Sequence, residues 1–111
     1  MHQIHKFEIP PGTPAGAGIG VEMPSGAKVL HVSFGDGRIY VHVLINSMNP
    51  LITRQFVIFG DGMMVGRGPD GRTVEELKHA GTVVVDIETL KGRGQIVMHV
   101  FDGGEVAAAQ Q

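Results

Sequence analysis

The stretch KVLHVSFGDGRIYVHVLI, Lys28 to Ile45, decides the fold of this chain. Asp36-Gly37 near its middle is the dipeptide that a type I′ turn favours, because both central positions of that turn need a positive φ. With these residues at the tip, Gly35 pairs with Arg38, Phe34 with Ile39, Val32 with Val41, Leu30 with Val43 and Lys28 with Ile45. The intervening pairs are Ser33 with Tyr40, His31 with His42, and Val29 with Leu44. One face is then apolar except for Lys28, while the other carries Ser33, Tyr40 and two facing histidines. Such alternation marks an antiparallel hairpin with one face buried.

Outward from this hairpin, turn chemistry divides the chain into short strands. Ile4 to Ile9 reads as a strand stopped by Pro10-Pro11, and PGTPAGAGIG from Pro11 to Gly20 reads as a loop of small residues. Val21 to Met23 is a short strand, and Pro24-Ser25-Gly26 turns the chain into the hairpin. Further strands are expected at Thr53 to Phe59, Gly81 to Ile87 and Gln95 to Phe101, the last two joined by a turn over Leu90 to Gly94. Phe-Gly-Asp-Gly occurs at Phe34 to Gly37 and again at Phe59 to Gly62, which reads as two turns of similar chemistry and not as a repeat. Thr73 and Glu76 match a capping box, so a helix of barely two turns is expected from Val74 to His79, closed by Gly81. The sum is an all-β fold with one short helix: an antiparallel sandwich or small open barrel of six to eight short strands. It forms a single domain over residues 1–102, followed by a flexible C-terminal tail over 103–111.

Composition narrows the function. With 111 residues the chain is one domain, and its 17 glycines favour turns and short strands over helices. The absence of cysteine removes disulfides, thiolate catalysis and cysteine-based zinc sites together. No apolar run approaches the ~20 residues that span a bilayer as a helix, so no membrane partner is expected. Net charge is −2 and the 9 basic residues are scattered, which argues against duplex nucleic acid as a partner.

Several landmarks fall in a recognisable order. They are Lys6-Phe7-Glu8-Ile9-Pro10, Met23-Pro24-Ser25-Gly26-Ala27-Lys28-Val29-Leu30, Phe56 to Gly62, Ala80-Gly81-Thr82-Val83 and Val97-Met98-His99-Val100-Phe101. From Lys6 to Phe101 the chain resembles a family of small proteins, encoded largely by bacteriophages, that is known as a domain of unknown function. The resemblance implies a phage-encoded protein working in the host bacterial cytoplasm, and it implies no activity. Pro11 to Ile19, Gly66 to Arg72 and the region around Lys91 to Gly94 are longer, glycine-rich loops than the family's compact form carries, and sites usually sit on loops.

Three constellations are candidates for chemistry. His31 and His42 face each other, and His99 lies on a third strand; convergence of all three would suit zinc. A solvated polar sheet face is the simpler reading, so no metal and no cofactor are expected. Arg67, Arg72 and Arg93 sit in the loops GRGPDGR and KGRGQ, where glycine lets N–H groups converge on an anion and arginine supplies a planar fork for phosphate. Tyr40 could stack on a base. Asp86 and Glu88 share a strand face, but Asp36, Asp61 and Asp70 each precede glycine as turn residues do, and no serine has a nucleophile-elbow context. The chain is therefore expected not to be an enzyme. The leading expectation is a phage binding protein that sequesters a small anionic ligand such as a cyclic nucleotide, acting against host defence. The alternative is a protein–protein interaction module, an inhibitor of a host protein or an accessory virion component. Unpaired sheet edges, and Met48, Met63 and Met64 in or near loops, add the expectation of a homo-oligomer.

Overall fold

The computed structural model describes residues 2–10, 18–60 and 77–106. They form seven strands: β1 (His2–Ile9), β2 (Gly18–Pro24), β3 (Lys28–Gly35), β4 (Arg38–Asn46), β5 (Leu51–Gly60), β6 (Lys78–Thr89) and β7 (Gly92–Val106). A three-stranded sheet has the order β1-β4-β3, and a four-stranded sheet has the order β2-β5-β7-β6. Every pairing is antiparallel. Neither sheet closes on itself, so the architecture is a sandwich and not a barrel.

Alternation explains the core. From the first sheet, Ile9, Val32, Val41, Val43 and Ile45 point inward; from the second, Ile19, Val21, Met23, Phe56, Val83 and Val100 do. Phe56, Met23, Val41, Val43 and Val100 are fully buried, and burying a side chain the size of Phe56 contributes about 2–3 kcal/mol. The sheets come closest where β3 lies over β6. A Cβ placed on Gly81 would stand 2.8 Å from Val32 Cγ2, so only glycine permits this approach.

The Asp36-Gly37 turn forms as its chemistry predicts, with φ of 53° and 76°. From Gly35↔Arg38 through His31↔His42 the pairing is the expected one. Then it departs. A bulge between Val29 and His31 brings Val29 opposite Val43 and Lys28 opposite Leu44, in place of the expected Leu30–Val43, Val29–Leu44 and Lys28–Ile45 pairs. Val29 consequently packs against the core, and Leu30 is left 44% exposed. Bulges on edge strands disrupt pairing locally, and β3 is such an edge.

The second half differs more. Among the described residues there is no helix: Lys78 and His79, expected to end one, instead begin β6 and pair with Asp102 and Phe101. Val74 to Glu76 lie outside the described residues. The β6–β7 turn is confined to Leu90-Lys91, and Gly92 to Gly94 belong to the strand. β7 also continues past residue 102 to pair Glu105 with Arg54 and Val106 with Thr53. Residues 103–106 are therefore strand where a flexible tail was expected.

That continuation has a polar anchor. Asp102, with a side chain 3% exposed, accepts from Arg54 Nε at 3.0 Å and Nη2 at 2.7 Å in a forked ion pair. Arg54 Nη1 also donates to the Ala27 carbonyl at 2.6 Å. Asp102 Oδ1 accepts from the Gly104 N–H at 2.8 Å, where the chain takes φ 85°. Glu105 Oε2 accepts from the Gly26 N–H at 2.6 Å. One node thus ties the β2–β3 turn, β5 and the end of β7, and no buried side-chain nitrogen or oxygen among the described residues lacks a hydrogen-bond partner.

Candidate functional site

The outer face of the first sheet gathers its polar side chains in one strip. Glu8 pairs with Tyr40 and Lys6 with His42 across β1–β4, and Ser33 and His31 flank them from β3. The Lys6 ammonium lies 4.4 Å from the centre of the Tyr40 ring, so this face of the ring already carries a cation. Arg38 Nη1 donates to Glu8 Oε1 at 2.8 Å, and the hydrogen bond and charge of Glu8 raise the arginine above its ordinary pKa. His42 Nε2 and Ser33 Oγ share a hydrogen bond of 2.7 Å, and the His31 and His42 rings are 5.5 Å apart.

His99 does not join them. It lies on the outer face of the other sheet, since its neighbour Val100 points into the core. There Thr82 Oγ1 bridges His79 Nε2 at 3.1 Å and His99 Nδ1 at 3.0 Å, beside an aromatic pair of Phe59 and Phe101. Sequence reasoning missed His79, because it placed that residue on a helix. Among the described residues no group of three or more histidine and acidic side chains could hold a metal ion.

The expected anion site is not assembled among the described residues. Arg93 sits opposite Glu88 near the tip of the β6–β7 hairpin, whereas Tyr40 is on the outer face of the first sheet. Arg67 and Arg72 lie outside the described residues, as do Met63 and Met64. Asp86 accepts a hydrogen bond from Gln95 across the hairpin at 3.0 Å, the ordinary use of a carboxylate on a solvated strand.

What the fold does create is an apolar cleft of about 210 Å³ at one end of the sandwich. Phe34 and Ile39 line it from the first sheet, and Ile58, Val85, Ile96 and Met98 from the second, with Arg38 at its rim. Beyond it the β6–β7 hairpin continues as an arm. β7 pairs with β5 only from Met98 onward, so from Asp86/Gln95 to the tip each strand's ladder partner among the described residues is the other strand. Those four residue pairs carry the tip roughly 13 Å outward, at about 3.3 Å per residue. Leu90 at the tip is fully exposed. The inward parity of Phe34, Ile39 and Ile58 was legible beforehand, but that of Val85, Ile96 and Met98, and the convergence of all six, required the packing of one sheet on the other.

The described residues thus define an all-β sandwich whose β6–β7 hairpin runs on past its pairing with β5. The chain belongs to the family described as a domain of unknown function, DUF7352, whose model matches residues 1–111. No curated protein and no solved structure was found to match it.

Proposed function

We propose that this is a non-enzymatic phage binding protein that works by contact with another protein, in the host cytoplasm. The arm carries this reading. A fully exposed leucine at the end of a two-stranded ribbon contributes nothing to the sandwich core, and the ribbon's apolar root opens into the cleft. Exposed apolar groups at the tip of a projecting element are suited to filling a pocket on a partner. The basic residues Lys91 and Arg93 beside Leu90 favour an acidic rim around that pocket. A nucleotide-sequestering role against host defence draws less support, because Tyr40 and Arg93 stand on different sheets.

The experiment compares wild type with Leu90→Asp in two assays. A host protein that co-elutes stoichiometrically with wild type, and fails to do so with Leu90→Asp, supports the reading. A thermal shift with cyclic dinucleotides that is lost in Arg93→Ala, with no co-eluting protein, overturns it in favour of the nucleotide reading. Light scattering on the same samples reports whether the chain is a homo-oligomer and whether Leu90 maintains it.

A further inference from the structure

We propose that His31 and His42 form a two-nitrogen chelate for a borderline divalent transition metal, Zn²⁺ or Ni²⁺, on the outer face of the first sheet. Geometry comes first. Two imidazoles bound to one ion at about 2 Å with a tetrahedral angle hold their ring centres about 5 Å apart. His31 and His42 are directly opposite across the ladder, with centres at 5.5 Å and planes inclined by 44°. Their opposition across the ladder places both rings on one face of the sheet, where side-chain rotation alone is the movement that chelation asks of them.

The proton arrangement favours the same use. A metal-bound histidine ordinarily donates its second N–H to a neighbouring acceptor, which fixes the tautomer and orients the ring. Ser33 Oγ lies 2.7 Å from His42 Nε2, and a hydroxyl accepting there leaves the lone pair on Nδ1 for the ion. Lys6, the cation opposite His42, is drawn over the Tyr40 ring at 4.4 Å, and Arg38 is held by Glu8 at 2.8 Å. Both of these cations are therefore engaged along the strip, while Lys28, opposite Leu44, is a third cation on the same face, one step along the ladder from the histidine pair. Two nitrogen donors, with water completing the shell, select Zn²⁺ or Ni²⁺ over Mg²⁺ or Ca²⁺.

The other histidine pair supplies an internal control. His79 and His99 are 6.3 Å apart, and a single Thr82 hydroxyl takes up one nitrogen of each ring. That pair resembles a hydrogen-bonded relay more than a chelate. The chain has 6 histidines, so the test must identify which ones respond.

The test is a titration of untagged protein with Zn²⁺ alone, followed through the histidine ring resonances by NMR and through affinity by calorimetry. The expected result is a saturable, concerted shift of the His31 and His42 rings. Affinity should fall at least tenfold in His31→Ala and in His42→Gln, and change less than twofold in His99→Ala. Melting curves within a few degrees of wild type show that these variants fold. Shifts confined to His2 and His5, or equal losses in His42→Gln and His99→Ala, overturn the proposal. So does an absence of saturable shifts at millimolar Zn²⁺.

Discussion

The β3–β4 and β6–β7 hairpins are both closed by two-residue turns, yet their registers have different origins. In β3–β4 the turn is encoded locally, by an aspartate and a glycine that accept φ of 53° and 76°. Nothing similar marks Leu90-Lys91; the accommodating residue is Gly92, at φ 111°, just after the turn. β6–β7 is instead held from its far end. Asp102 anchors β7 to Arg54, Gly81 seats β6 against Val32, and the strands then run past the sandwich into an arm. The locally encoded hairpin here lies within its sheet, while the tertiary-anchored one extends beyond its neighbouring strand.

The largest expected effect comes from removing the remote anchor. Asp102→Ala strips the partly buried guanidinium of Arg54 of its forked partner, leaving Glu105 at 3.9 Å as the remaining acid, and should cost about 2–4 kcal/mol. Denaturant unfolding reads this; a change under 1 kcal/mol would mean that β7 is held by apolar packing alone. Gly81→Ala comes next, at about 1–3 kcal/mol, because its Cβ would meet Val32 Cγ2 at 2.8 Å. Adding Val32→Ala removes Cγ2 but leaves Cβ at 2.9 Å, so little rescue is expected, and the non-additivity of the double mutant measures how much of the clash Cγ2 carries.

Turn substitutions sharpen the contrast at smaller scale. Gly37→Ala should destabilise by about 1 kcal/mol through its φ of 76°, since no neighbouring atom lies within 4 Å of the added Cβ. Gly92→Ala should cost a similar amount globally but act by fraying the arm, so amide exchange should quicken at Arg93 and Gly94 and stay unchanged at Val100. The smallest effect on stability belongs to Leu90→Asp, expected within about 0.5 kcal/mol because the side chain is wholly exposed. A large loss of stability there would show that Leu90 is packed in solution, against a second copy or against the cleft.

Local chemistry made much of this fold legible. Alternation identified the buried faces of β3, β4 and β5, and Asp36-Gly37 set the register of their neighbours as far as His31↔His42. It could not reveal the bulge that exposes Leu30, because Val29 and Leu30 are equally apolar and only the opposing sheet chooses between them. Gly92-Arg93-Gly94 read as turn for the same reason: glycine is permitted in both states, and pairing with Ile87, Glu88 and Thr89 decided for strand. Lys78 and His79 followed a capping signal that a strand partner in β7 overrode.

The facing pair His31 and His42 was visible in the sequence, and the hairpin delivers it. Its separation from His99 was not visible, because a strand's parity says which residues share a face and not which face of which sheet. The cleft, the arm and the Arg54–Asp102 node were likewise decided by tertiary structure. Hydrophobic periodicity and turn residues act over a few bonds and determined which strands this chain forms. How the two sheets stack, where a strand outruns its neighbours and which polar groups meet between distant segments depend on contacts that no local pattern encodes.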